Sequence, residues 1–192
     1  GSVPLAVREP RRHGARPAAF RPLHCRQRVS TRAGGDETGV GDLTTLVTEV
    51  SLPGVQPAEV LSLVGTASSW PSIVLSSTGV TGQTSQILKP GDIVKEEFGL
   101  PPVWTPSVSW VCHEADVSRG VLDVRSPEGV PGVADSCRML FLAEPAAGGT
   151  QLRLEMSYRP LGLLARLARP FLEVDNALAL QLLLPRALGD RA

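Results

Sequence analysis

Histidine, cysteine and lysine are all scarce in this 192-residue chain: three histidines, three cysteines and two lysines. His13 and His24 fall in an arginine-rich N-terminal stretch, so only His113 is left for the rest of the chain. One histidine excludes a metal centre built on two or three imidazoles within one chain. The cysteines have no CxxC spacing, which excludes a zinc ribbon and a disulfide framework. Cys25 belongs to the N-terminal stretch, while Cys112 and Cys137 fall in strand-like segments and are expected as buried free thiols. There is no Gly-x-Ser-x-Gly elbow, no Walker loop and no dinucleotide-type glycine pattern. Long apolar runs are missing too. The longest uncharged stretch, Val60 to Leu88, is diluted by Ser, Thr, Gly, Gln and Pro, and lacks the roughly 20 apolar residues of a spanning helix.

Acidic residues are missing from one end. Residues 1–32 hold eight arginines and a single acid, Glu9. From position 33 onward there are 11 basic and 18 acidic residues, so the overall neutrality averages a leader near +7 and a body near −7. A body of that sign repels nucleic acid. The leader is also broken by Pro4, Pro10, Pro17 and Pro22, and small residues cluster from Val29 to Gly35 around Ala33. This acid-poor, arginine-rich composition is shared by organelle transit peptides, the alternative being a basic tail that binds RNA or an acidic partner. Residues 1–40 are therefore expected to be a disordered leader and hinge, addressed to the chloroplast or, as the alternative, to the mitochondrion. Residues 41–189 are expected to form one α+β domain.

Within the body, Leu43 to Leu52 is rich in β-branched residues and predicts a first strand. Pro57 opens a short helix over Ala58–Val64, with Gly65 near its end. Ser68-Ser69-Trp70-Pro71 reads as a loop, since proline biases its predecessor away from helix. Strands are predicted at Ile73–Val80, Ile93–Phe98, Val108–His113, Gly120–Arg125, Cys137–Leu142 and Gln151–Tyr158, with Ser85–Leu88 leading into the Lys89-Pro90-Gly91-Asp92 turn. The last two strands flank Glu144–Gly149 as a hairpin with a longer loop. Along the final strand Leu152, Leu154, Met156 and Tyr158 share one face, opposite Gln151, Arg153, Glu155 and Ser157. The tail changes period: Leu164, Leu167, Ala168, Phe171, Val174, Leu178 and Leu182 recur at helical steps, with Pro170 expected to kink the helix or begin a second segment. Such a helix must lie across the dry face of the sheet.

Several local motifs occur in a telling order. Pro57–Leu63 is followed by Ser69-Trp70-Pro71, Lys89-Pro90-Gly91-Asp92 leads into Ile93–Phe98, Ser109-Trp110-Val111 lies in a middle strand, and Gly148-Gly149-Thr150-Gln151-Leu152 precedes the last strand. Over residues 43–188 the chain resembles the polyketide cyclase/START-like (SRPBCC) superfamily. The resemblance implies the helix-grip fold: a curved antiparallel sheet of six to seven strands wrapped on a long C-terminal helix. It also implies an internal cavity for a lipid, quinone, pigment or polyketide. The expected walls are Trp110, Met139, Phe141, Leu154, Met156, Phe171, Val174 and Leu178, drawn from the dry strand face and the helix stripe. The proline-rich stretch Leu100–Pro106 has no counterpart in the family pattern.

No catalytic residue, metal or cofactor is assigned. His113-Glu114-Ala115-Asp116 reads as a solvated strand edge rather than an acid–base pair, and Asp123 and Arg125 share a strand face as a surface ion pair or as a polar end of the cavity. The function these features imply is binding or transport of a hydrophobic small molecule. Cyclase or dehydratase chemistry, and an assembly role for the C-terminal helix, are the alternatives. Protein partners are left unassigned. A peripheral membrane contact is among the interactions an amphipathic tail allows.

Overall fold

The computed structural model describes residues 25–32, 43–99, 102 and 104–189. Its strands are β1 (Cys25–Arg32), β2 (Leu43–Pro53), β3 (Ser77–Gly82), β4 (Ile93–Phe98), β5 (Ser107–Asp116), β6 (Val121–Ser126), β7 (Ala134–Ala146) and β8 (Gly149–Pro160). They form one antiparallel sheet in the order β1-β2-β8-β7-β6-β5-β4-β3. Strands β3 to β8 are a meander of hairpins, and β2 closes it by pairing with β8, Leu46 opposite Met156 and Val50 opposite Leu152. These seven strands, β2 to β8, are the expected curved sheet. In addition, Cys25–Arg32 pairs with β2, Arg32 opposite Leu43. Eight residues assigned to an unstructured leader thus have a place in the sheet, because backbone groups along the free edge of β2 accept a strand whatever its charge. Residues 1–24 and 33–40 of the leader lie outside the described residues.

Between β2 and β3 the chain runs through α1 (Pro57–Val64), a 3-10 turn (Ala67–Ser69) and α2 (Trp70–Ile73). Pro57 sits in the first turn of α1, where its missing N–H costs nothing, and Glu59 reaches back to the Gln56 N–H at 2.7 Å. The expected loop at Trp70-Pro71 is instead helical. Pro71 lies in the first turn of α2, and Trp70 is buried with its indole N–H donating to the Val64 carbonyl at 2.8 Å. Burial of a large ring outweighs the local bias against helix before proline. Ile73 belongs to that helix, so β3 starts at Ser77 rather than at Ile73. Ser85–Leu88 contributes one bridge, Ile87 to Thr66, and no strand.

The turns carry most of the glycine requirement. Asp92 accepts from the Lys89 N–H at 2.8 Å beneath Gly91, whose φ is 92°. The β7–β8 loop is tighter than expected: Ala146 pairs with Gly149, leaving only Ala147 and Gly148 outside the ladder. Two glycines with positive φ make a testable contrast. At Gly120 (φ 70°) an added Cβ would lie 2.0 Å from the Ala143 carbonyl oxygen, whereas at Gly148 (φ 80°) it would meet open space. Gly148→Ala should therefore cost about 1 kcal/mol of backbone strain. Gly120→Ala should cost about 3 kcal/mol or more, strain plus a clash with main chain. Urea denaturation of the two variants checks this, and equal losses would contradict it.

The helical tail is α3 (Gly162–Leu178), a π-helical turn (Ala179–Leu183) and α4 (Leu184–Gly189). Helix α3 passes through Pro170 as one element, so Pro170 begins no second segment; the irregularity comes later, at the π turn. None of the described helices is long and apolar enough to cross a membrane. The core lies between the inner face of the sheet and the helices. It includes Leu46, Val50, Leu122, Val124 and Leu152 from strands, and Val60, Leu63, Leu180 and Leu184 from helices. The inner–outer alternation along β8 is the one its sequence predicts.

Candidate functional site: an apolar cavity with two acids

Between sheet and tail lies a cavity of about 90 Å³. Trp110 on β5, Met139 and Phe141 on β7, and Leu154, Met156 and Tyr158 on β8 bound it from the sheet. Phe171, Leu172, Ala179, Leu180 and Leu184 bound it from the tail, and Trp70 and Ile73 close it from α2. Six of the eight wall residues expected from sequence meet here: Trp110, Met139, Phe141, Leu154, Met156 and Phe171.

Val174 and Leu178 do not line the cavity. Val174 is 56% exposed, as are Leu167 (68%) and Leu182 (59%) from the same predicted stripe. The tail is rotated by about one residue, or 100°, from its most hydrophobic orientation. Its inward positions are Ala165, Leu172, Asp175, Asn176, Ala179, Leu180 and Leu184, with Phe171 of the predicted stripe still reaching the cavity. Two features allow this. Small residues at 165 and 179 permit close approach to the sheet. The polar pair at 175 and 176 finds partners inside, so burying it does not leave bare polar groups. The π turn adds a residue per turn locally and carries the inward face on to Leu184.

Sequence reasoning missed the polar groups of this cavity. Asp175 is 5% exposed; its Oδ1 accepts from the Ser76 N–H at 3.1 Å and its Oδ2 from the Ser76 hydroxyl at 2.6 Å. These bonds tie the tail to the start of β3. Asn176 donates its amide N–H to the Met156 sulfur at 3.5 Å. Glu96 on β4, also 5% exposed, accepts at Oε2 from the Trp110 indole N–H at 2.7 Å. The buried Ser77 hydroxyl lies near this carboxyl, short of strict hydrogen-bond geometry but close enough to favour its charged form. Burial pushes the Glu96 carboxyl above the usual carboxylate range, against the pull of the Ser77 hydroxyl and the Trp110 bond, and the charge of Asp175 adds to the rise. Asp175 is raised as well, again chiefly by burial, with its Ser76 bonds opposing. No lysine, arginine or histidine is among the described residues that line the cavity.

The alternation β-out/β-in of Ile93–Phe98 does place Glu96 on the same face as buried Val94, a signal that could have found it. The proline-rich stretch also has a role: Trp104 packs edge-on against Phe98 with ring centroids 5.6 Å apart, and both rings line the cavity.

The groups weighed from sequence as polar chemistry lie elsewhere. His113 is exposed, Glu114 pairs with Arg119 at 2.9 Å, and Asp116 caps its own turn by accepting from Ser118 and Arg119. Asp123 is on the outer sheet face, bonded by Arg125 (2.7 Å) and Arg138 (2.9 Å), and takes no part in the cavity. Burial pushes its carboxyl up, but the two guanidinium groups outweigh that and hold it below the ordinary value. The thiols are buried as expected; burial pushes Cys112 up to about 11 and Cys137, which borders the cavity, up to about 12. Such thiols are unreactive near neutral pH.

No protein-family model matches the chain, and no curated protein matches it. Solved structures do. The Zhui aromatase/cyclase from Streptomyces sp. R1128 is 16% identical, with a TM-score of 0.58 over 88% of this chain and 96% of that one. Ara h 8.0201 is 12% identical, with a TM-score of 0.56 over 88% of this chain and 99% of that one. Ginseng major latex-like protein 151 from Panax ginseng is 13% identical, with a TM-score of 0.54 over 73% and 97%. These neighbours have the Bet v1-like, polyketide-cyclase type of architecture. At such identities the likeness establishes the helix-grip fold and nothing finer.

Proposed function

We propose that this chain binds a small hydrophobic molecule in the cavity between its sheet and its C-terminal helix. One observation carries the reading: a core that could have closed on itself instead keeps a void walled by aromatic, thioether and aliphatic side chains, with a few buried polar groups facing it. Natural cores leave few voids of this size, because each forfeits packing energy. Pockets for drug-sized ligands run to roughly 300–1,000 Å³. The space of about 90 Å³ therefore suits one ring or a short chain as it stands. A larger ligand requires Met139, Met156 and Phe171 to move, and unbranched thioethers do so at little cost.

The test uses N-phenyl-1-naphthylamine, an uncharged dye that fluoresces in apolar surroundings. Saturable one-to-one binding is expected, weakened tenfold or more in Ala134→Phe, which fills the cavity from β7, provided circular dichroism shows that variant folded. A lack of saturable binding by the wild-type protein would sink the reading. Native mass spectrometry of the protein from its source would show whether an apolar molecule accompanies it.

A second reading, cyclase- or dehydratase-type catalysis, is favoured by the two buried carboxyls in one cavity, since acids with raised pKa are suited to proton transfer. It requires that a bound ligand leave chemically changed, which the same mass spectra would reveal.

A further inference from the structure

We propose that the cavity selects apolar molecules bearing a neutral acceptor, a ketone or quinone carbonyl, which the Glu96 carboxyl holds by donating its proton, and that it rejects carboxylates. The proposal rests on the binding reading above and names the ligand class for that site.

The geometry divides the work between the two acids. Asp175 is committed: both its oxygens accept from Ser76, and its role is to dock the tail. Glu96 is not. The Trp110 indole N–H occupies Oε2 and thereby orients the carboxyl, while the carboxyl itself faces the cavity. No cation stands beside it among the described lining residues. A buried carboxyl with one oxygen left unbonded is costly, and a ligand oxygen facing it would relieve that cost.

Charge then narrows the class. The described wall offers no cation to pair with an acid. A carboxylate ligand would place a third acid in a low-dielectric space beside Glu96 and Asp175 without a counter-charge, which is strongly unfavourable. An ammonium ligand would have to take the Glu96 proton and bury the resulting ion pair, at the cost of desolvating both ions. A carbonyl does neither. It accepts one proton in a hydrogen bond and adds no charge. Burial of Glu96 without a counter-charge acts in the same direction, since it disfavours the ionised form.

Four naphthalenes that differ only in the 2-substituent separate these outcomes when each competes with N-phenyl-1-naphthylamine at pH 7. 2-Acetylnaphthalene should bind roughly three- to tenfold more tightly than 2-ethylnaphthalene, the range for one net hydrogen bond. It should bind at least about tenfold more tightly than 2-naphthoate or 2-naphthylmethylamine. Glu96→Gln retains a donor and should keep this order; Glu96→Leu should bring the ketone down to the ethyl compound. If the ammonium or carboxylate compound binds as well as the ketone, or Glu96→Leu keeps the ketone preference, the proposal is overturned. Equal binding of ketone and ethyl compound by wild type would remove the Glu96 role and leave the cavity reading standing. Displacement by none of the four would remove both. Should Glu96→Leu fail to fold, the wild-type order and Glu96→Gln decide the matter.

Discussion

Glu96→Gln is expected to raise stability at pH 7 by roughly 1–2 kcal/mol while leaving it nearly unchanged at pH 4. In the folded protein the Glu96 carboxyl is raised, first by burial, with the Ser77 hydroxyl and the Trp110 hydrogen bond partly offsetting it and the charge of Asp175 adding to it. The unfolded chain releases the same proton near the ordinary glutamate value of about 4.3. Between that value and the raised folded one, the folded state binds more protons than the unfolded state, so stability falls as pH rises. Glutamine has no proton to lose, and its amide oxygen still accepts from the Trp110 indole N–H. The variant should therefore lack part of the decline. The remainder belongs to Asp175, which is raised for the same principal reason. Asp123 acts in the opposite sense: its folded value is lowered, so its contribution is present above the unfolded aspartate value and is lost as pH falls through the folded one. Urea denaturation from pH 4 to pH 8 gives both curves. Parallel curves, or a variant weaker than wild type at pH 7, would show that Glu96 is ionised in the fold.

The second large effect is on packing. Leu152→Ala should cost about 2–5 kcal/mol. Leu152 is fully buried on β8, between Val50 on β2 and Ala143 on β7, and does not border the cavity. Truncation there opens a new void among ladder partners whose backbones cannot close in. Leu154, two residues along on the same face, does border the cavity. Leu154→Ala enlarges a space that already exists, so its cost should fall at the low end of that range, and the variant should admit bulkier dyes than wild type. Chemical denaturation of both proteins is the measurement. A loss below about 1 kcal/mol for Leu152→Ala would mean the site is not the packed centre described here.

These two residues mark how differently parts of the molecule could be read beforehand. Leu152, Leu154, Met156 and Tyr158 alternate strictly with polar residues, and the strand they lie on has one dry face and one wet face as that alternation requires. A strand has a period of two, so hydropathy assigns its faces with little room for error. The helix is less constrained. Its tail offers leucines on more than one side, and hydropathy chose the stripe through Val174 and Leu182, both of which face solvent. A rotation of one residue exchanges that stripe for one carrying Asp175 and Asn176, and only the presence of Ser76 and Met156 across the interface makes the exchange affordable.

Local chemistry along the chain was sufficient for the period of β8, the start of α1 at Pro57 and the Gly91-Asp92 turn. Each of these depends on neighbours within a few residues, where sequence and geometry are directly linked. The tertiary structure alone decided the rotation of the tail, the strand at Cys25–Arg32 against β2, the helical turn at Trp70-Pro71, the contribution of Trp104 and the presence of Glu96 and Asp175 in one cavity. Glu96 and Asp175 are 79 positions apart in the chain. What brings them together, and raises both, is burial behind side chains that no local pattern connects to either acid.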